Sequence, residues 1–432
     1  MRKIAFLLFC MIVFHSGLAY SQVNNSDTAT YSSVSKDYAF DKVRMGGYGE
    51  MLFQQKQYGP YRFGGEGKGS PRDSRSEISI PRFIVAFDYK FSPSIILSSE
   101  IEFEYGGTGS GLEHEYTEGG EYETEIEKGG EVALEQFHIT KIFSNAFAIR
   151  AGHMIVPVGL TNSHHEPIHF FGTTRPEGET TLLPSTWHET GLALLGKFRH
   201  FNYEAMVVNG LDPNGFDREN WIKNGRQTKF EISGMTNPAF AGRVEYEGIK
   251  NTRLGISGYY APETGKNASN PSRMKGIKGA VTLISADAQY KSRDIIARGN
   301  IIYGNLSQSQ QISKVNAGLP KSLGFARTPV AKNALTYGVE AGYNVGAFFD
   351  HKATVFPFVR YEYHNSMEDT EKNMVADPRY KVDMFTVGVN YYILPNLVAK
   401  GDFSHRRIDT GNFNKENTFS LGLAYVAWFF QK

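Results

Sequence analysis

In the stretch TFSLGLAYVAWF, Thr418–Phe429, Phe419, Leu421, Leu423, Tyr425, Ala427 and Phe429 lie on one face, and Thr418, Ser420, Gly422 and Ala424 on the other. Alternation at period two is the signature of a β-strand with two unlike faces. The device repeats upstream. Phe385, Val387, Val389 and Tyr391 oppose Thr386, Gly388 and Asn390, and Leu335, Tyr337, Val339, Ala341 and Tyr343 oppose Thr336, Gly338, Glu340 and Gly342. Sixteen such segments can be traced. They begin near Arg44, Ile78, Ile96, Val132, Phe147, His188, Phe201 and Ala239, and then near Arg253, Gly279, Ile295, Ala334, Ala353, Val382, Leu397 and Asn417.

The links between segments alternate in length. Ser92-Pro93-Ser94, Ser144-Asn145, His200, Lys250-Asn251, Ser292-Arg293, Asp350-His351 and Pro395-Asn396 read as tight turns. Between them fall long polar links at 56–76, 107–131, 159–187, 211–238, 262–278, 308–332 and 365–379. Short turns at one end and long loops at the other describe an all-β, up-and-down transmembrane antiparallel β-barrel of about 16 strands, with both termini on the periplasmic, short-turn side. A soluble β-sandwich would bury its apolar faces between two sheets. Here the polar faces carry charge along their length (Arg298 and Asn300, Arg360 and Glu362, Lys400 and Asp402), which a water-filled lumen accommodates. Tyr89, Phe91, Tyr303, Tyr361, Tyr363, Tyr391 and Tyr392 fall near strand ends, where interfacial girdles belong.

Composition narrows the class further. The 432 residues carry a formal net charge of only +1, so no basic excess points to nucleic acid. A mean hydropathy of −0.36 argues against a bundle of membrane helices, and after Ser21 no run of about 18 apolar residues is long enough to span as a helix. The first residues read as an export signal: Arg2 and Lys3, the apolar run Ile4 to Phe14, then Ala19-Tyr20-Ser21 with cleavage after Ser21. The expected organisation is therefore a signal peptide at 1–21, a polar periplasmic leader at 22–42 and an outer-membrane barrel at 43–432. Cys10, the only cysteine, lies in the signal, so the mature chain has no disulfide and no cysteine metal site.

The link 159–187 holds His164, His165, His169 and Arg175 together with Phe170, Phe171 and Trp187, an apolar content unusual for a solvent loop. It is expected to fold into the lumen as a constriction loop. The histidines, even with His153 and His188, have no ligand spacing, so no metal is assigned. In 107–131, Glu113, Glu115, Glu118, Glu121, Glu123, Glu125, Glu127 and Glu131 suggest a solvated external hairpin, with a cation- or lipopolysaccharide-bridging surface as its functional version. Asp212, Asn214 and Asp217 hint at a calcium loop, but their register fits a plain turn better. No nucleophile elbow and no H-E-x-x-H motif occurs, so no catalytic residue is assigned and no cofactor is expected.

Strand parity gives a set of inward basic groups, Arg82, Arg150, Arg199, Arg243, Arg298, Arg360, Lys400 and Arg406, as candidates for pore lining and anion binding. Guanidinium suits that task, since it stays charged and offers several donors to an oxyanion. Inward acids are as common: Glu50, Glu100, Glu102, Glu104, Glu245, Glu247, Asp287, Glu340, Glu362 and Asp402. Many of the two sets can simply pair across strands and stiffen the wall.

Ala151–Leu160 (AGHMIVPVGL) and the following His164-His165-Glu166-Pro167, with Asn237–Tyr246 (NPAFAGRVEY) and Leu254–Tyr260 (LGISGYY), resemble phosphate-selective porins of the O and P type. The similarity runs from about Val43 to the C-terminus. The resemblance implies a homotrimeric sixteen-stranded porin with inward-folded loops and lumen arginines that conduct phosphate. Arg243, inside a matching motif, carries over a ladder role, and Arg150, just before another, does so more weakly. Two features depart from that pattern: acids rival bases in the lumen set, and Gln431 and Lys432 follow the last aromatic residue, Phe430.

Together these readings give a non-enzymatic outer-membrane porin for small hydrophilic solutes, with anions such as phosphate favoured. Its partners would be outer-membrane lipid, lipopolysaccharide and its own copies. The rivals are a barrel enzyme acting on lipid, and a plugged binding or adhesion barrel whose acidic loop engages a partner.

Overall fold

The computed structural model describes residues 40–57, 74–107, 110–116, 122–128, 131–184, 186–227, 233–320, 324–349, 353–411 and 414–432. The segment expected to be a signal peptide, most of the expected polar leader and most of the first long link lie outside these residues.

The strands are β1 (Val43–Gln57), β2 (Ser74–Ser92), β3 (Ile95–Glu104), β4 (Ser110–Tyr116), β5 (Tyr122–Lys128) and β6 (Glu131–Ser144). There follow β7 (Phe147–Ile155), β8 (His188–Phe198), β9 (Phe201–Val208), β10 (Ala239–Ile249), β11 (Thr252–Ala261) and β12 (Val281–Lys291). The last six are β13 (Ile295–Leu306), β14 (Asn333–Tyr343), β15 (Thr354–Asp369), β16 (Lys381–Leu394), β17 (Leu397–Ile408) and β18 (Lys415–Gln431). Sixteen of them form one closed antiparallel barrel, each paired with its sequence neighbour, and β4 and β5 pair as a separate hairpin within the link between β3 and β6. The acidic stretch thus forms a hairpin; its side chains lie outside the described residues.

Closure joins the two ends of the chain. β1 pairs with β18 from Arg44↔Gln431 to Gln57↔Asn417, and Val43 and Lys432 exchange backbone hydrogen bonds of 2.8 and 2.9 Å. A closed barrel has no open edge of unpaired strand, the condition for crossing lipid with strands. The alternation expected from the sequence holds around the wall. Ile256, Ile284, Leu192 and Val339 point outward and are exposed, while Ser257, Ser285, Ala193 and Glu340 on the same strands are buried inside.

Three details differ from the sequence reading. Arg199 sits in the short turn after β8 at φ 54, exposed, with its guanidinium 5.3 Å from the Phe198 ring, because the strand stops at Phe198 and parity ends there. It does not line the interior. Tyr392 faces inward and packs beside Phe356 at 6.0 Å, so it is no girdle residue. β14 and β15 are joined through a 3-10 turn at Val345–Phe349, and the turn expected at Asp350-His351 lies outside the described residues.

The outward face sets a clear expectation. Ile256→Arg, mid-strand on the lipid side, should destabilise the folded barrel by roughly 2–4 kcal/mol in urea unfolding from lipid vesicles. An unchanged midpoint would place that residue away from lipid.

Candidate functional site

The link between β7 and β8 does fold into the barrel. It carries two short helices, α1 (Leu160–Ser163) and α2 (Glu177–Leu182), with a 3-10 turn at Pro167–His169 between them. Its two ends are tied together by one side chain: Asn162 donates to the Val156 carbonyl at 2.6 Å and accepts from the Trp187 amide at 2.5 Å. Glu179 caps α1 from the other helix, accepting from the amides of Leu160, Thr161 and Asn162 at 3.2, 3.0 and 2.6 Å. A Cβ on Gly159, at φ 88, would lie 2.3 Å from Glu179 Oε1, so that cap requires glycine.

The wall then grips the loop through its backbone. Lys400 Nζ donates to the carbonyls of Pro167, Phe170 and Gly172 at 2.5, 2.7 and 2.9 Å. Arg82 reaches the His165 carbonyl at 3.4 Å, Arg243 that of Gly159 at 3.2 Å and Arg360 that of Thr174 at 3.3 Å. Acids take the amides: Glu340 from Phe171 at 3.1 Å, Asp402 from Thr173 at 2.6 Å and Glu362 from Gly178 at 3.4 Å. Wall glycines make room for the loop and for rings. Phe171 seats over Gly342, where a Cβ would stand 2.6 Å from its ring, and it stacks on Phe358 at 5.1 Å.

The inward basic groups are also paired with one another's counter-charges. Glu340 accepts from Arg298 at 2.5 Å and from Arg360 at 2.8 Å, its two cross-strand neighbours. Arg243 holds Asp287 with both terminal nitrogens at 2.9 and 2.8 Å, passing over Gly255, and reaches Glu245 at 2.8 Å. Arg82 bonds Glu50 at 2.9 Å, and Arg406 bonds Glu177 and Glu416 at 2.8 and 3.1 Å. Arg150 bonds Thr140 at 3.2 Å and lies 3.6 Å from Glu204. With Arg243, Glu204, Glu245, Ser163 and His164 it borders a cavity of about 60 Å³ beside the loop.

His164, His165 and His169 lie within the folded loop, as does Arg175, which is partly buried. Burial pulls the imidazoles of His164 and His169 well below the ordinary histidine range, and that of His165 down to about 3. His164 Nε2 accepts from Arg253 at 2.5 Å. Arg253 was absent from the inward set although it shares parity with Ser257. His153 and His188, on adjacent strands, hydrogen-bond ring to ring. Asp212 and Asp217 cap local turns by accepting from the amides of Asn214 and Asn220 at 2.8 and 2.7 Å, which fits the plain-turn reading.

On the β7–β14 side, the long-loop end of the interior is apolar. Trp187, Phe216, Trp221, Met274, Ile312 and Val330, from four successive links, pack with Val208, Leu283 and Leu306 of the wall. Trp221 seats over Gly304, where a Cβ would come within 2.1 Å of it.

If Glu340 neutralises both guanidiniums, Glu340→Gln leaves two buried cations facing each other. Urea unfolding should register a loss of about 3–5 kcal/mol. A loss below about 1 kcal/mol would mean that the cluster is hydrated and weakly coupled.

No family model matches the chain. A protein of Aquifex aeolicus (strain VF5), itself uncharacterized, is 26% identical over 408 residues, spanning 92% of this chain and 82% of the relative. Among solved structures, OmpF of Salmonella typhi in complex with daunomycin aligns over 90% of this chain and 98% of its own at 11% identity, with a TM-score of 0.55. The outer membrane channel DcaP of Acinetobacter baumannii aligns over 89% and 97% at 11% identity, also with a TM-score of 0.55. OprB of Pseudomonas putida aligns over 90% and 94% at 10% identity, with a TM-score of 0.51. The shared feature is architecture: this chain has a porin-like outer-membrane channel fold, a closed antiparallel barrel of sixteen strands.

Proposed function

We propose that the protein is a porin of the bacterial outer membrane, exported by its N-terminal signal and assembled as a homotrimer in contact with lipopolysaccharide, through which small hydrophilic solutes diffuse passively. The observation that carries this reading is the inward-folded loop between β7 and β8, fastened to a polar wall by charged side chains. Such a loop narrows an aqueous path and sets its size limit. No cofactor or catalytic step enters the reading.

Selectivity follows from how the basic groups are used. A phosphate ladder needs guanidiniums whose donors point into water, where an oxyanion can exchange from one to the next. Arg82, Arg243, Arg298, Arg360 and Arg406 each bond a carboxylate, and Lys400 is spent on three loop carbonyls. We therefore favour a size-limited channel of weak charge preference over a phosphate-selective one.

The apolar packing of four links at one side of the barrel mouth favours one rival, a plugged barrel that binds a partner. Planar-bilayer recording separates the readings. In a KCl gradient the porin should conduct with a reversal potential near zero, and millimolar phosphate should leave the chloride current largely unchanged. Micromolar block by phosphate would restore the ladder, and a silent bilayer would favour the plug. Lys400→Met, which frees three loop carbonyls, should raise and destabilise the single-channel conductance; an identical trace would overturn the constricting role of the loop.

A further inference from the structure

The wall opposite the apolar packing holds an arrangement that neither the loop anchors nor the solute path uses. The β3–β6 ladder shifts register between Glu100↔Gln136 and Ile101↔Leu134, leaving Glu135 as the extra residue of a β-bulge. Bulges re-aim side chains, and this one turns two successive residues inward: Glu135 is 0% exposed and Gln136 1%. Ordinary alternation would have sent one of them to lipid. The bulge thus delivers a third carboxyl to a wall that already presents Glu100 and Glu102.

His165 of the constriction loop meets this point. One ligand atom each from Glu100, Glu135 and His165 lie within 4.8 Å of one another. The second carboxyl oxygen of Glu135 accepts from the Tyr48 hydroxyl at 3.3 Å, and its carboxyl also meets that of Glu102, so three acids crowd one buried point. Gln136 donates to Glu100 at 2.6 Å and so orients that carboxylate. His165 Nδ1 lies 3.2 Å from the Asn162 carbonyl, which makes it the donor nitrogen and leaves the ring lone pair on Nε2. A backbone carbonyl on one imidazole nitrogen is the usual outer support of a metal-ligating histidine. Arg82 is committed to Glu50 and to the His165 carbonyl.

From this geometry we infer that Glu100, Glu135 and His165 bind a first-row divalent cation that ties the constriction loop to the β3–β6 wall. Two carboxylates and an imidazole form a mixed oxygen–nitrogen set suited to zinc or its neighbours more than to calcium or magnesium, which take oxygen alone. Three protein ligands leave a coordination position for water. The cation would neutralise the crowded carboxylates, taking the place of a proton shared between Glu135 and Glu102. The sequence hid the site because its three residues come from two strands and a loop, and one of them faces inward only by the bulge.

The test uses the full chain, folded in detergent, stripped with EDTA and titrated with zinc chloride by calorimetry, with metal content measured after desalting. One zinc per chain is expected, with a higher melting temperature when loaded. Glu135→Gln and His165→Gln should each weaken binding by more than about 100-fold, beyond the loss typical of an outer support. Both variants would first be confirmed as folded by heat-modifiable gel migration, and the loop variant His165→Gln serves if the bulge variant fails to fold. Zinc uptake no higher than adventitious background, or uptake unchanged in His165→Gln, would overturn the site. Conductance does not enter this test, so it stands or falls apart from the porin reading.

Discussion

A peptide backbone that crosses the inside of a barrel must find partners for its amides and carbonyls, and here ionised wall side chains supply many of them. Buried backbone groups left unmade cost about 1–3 kcal/mol each, and a charged partner roughly doubles the strength of a neutral bond. Lys400, Arg82, Arg243 and Arg360 serve carbonyls of the loop between β7 and β8, and Glu340, Glu362 and Asp402 serve its amides. Because a backbone offers acceptors and donors in equal number, a wall built to hold it needs both signs of charge. That requirement accounts for an interior in which acids rival bases, and it agrees with a net charge of only +1.

Shape completes what charge begins. Phe171 over Gly342 and Trp221 over Gly304 are bulky rings set into places where the wall has no Cβ. The two contacts lie on neighbouring strands, β14 and β13, and they fix the links that flank the β8–β9 hairpin. One ring belongs to the loop between β7 and β8, and the other to the link after β9. Apolar packing then fills the β7–β14 side of the mouth, while the β1–β3 and β6 side keeps its carboxylates. The interior is thus divided into an apolar side and a side that keeps its acids.

The barrel was largely legible in the sequence because the property that makes it stable in lipid, alternation without interruption, is itself local. Segment starts near Phe147, His188, Phe201, Ala239, Ile295 and Leu397 coincide with strand starts. What escaped depends on where alternation stops or slips. Arg199 inherited an inward parity from a strand that ends one residue earlier, at Phe198. Glu135 was assigned to no face, since a single-residue bulge leaves no composition signal. Partnership was equally invisible. Arg298 and Arg360 read as two lumen cations, and only the register that puts Glu340 between them turns them into a neutralised triad.

That triad bears on selectivity in a general way. A lone guanidinium in a channel projects a monopole that a passing ion feels out to about 8–10 Å at physiological salt. A guanidinium held 2.5–2.8 Å from a carboxylate projects chiefly a dipole, whose influence falls off faster with distance. Arg243 with Asp287 at 2.8 Å and Arg82 with Glu50 at 2.9 Å follow the same rule. If the barrel conducts as proposed, a wall whose charges are taken by the loop and by opposing acids would orient a polar solute while attracting net charge of either sign only weakly. On that reading a count of arginines along the strands does not by itself measure a preference for anions, because each guanidinium has to be taken together with the carboxylate that it holds.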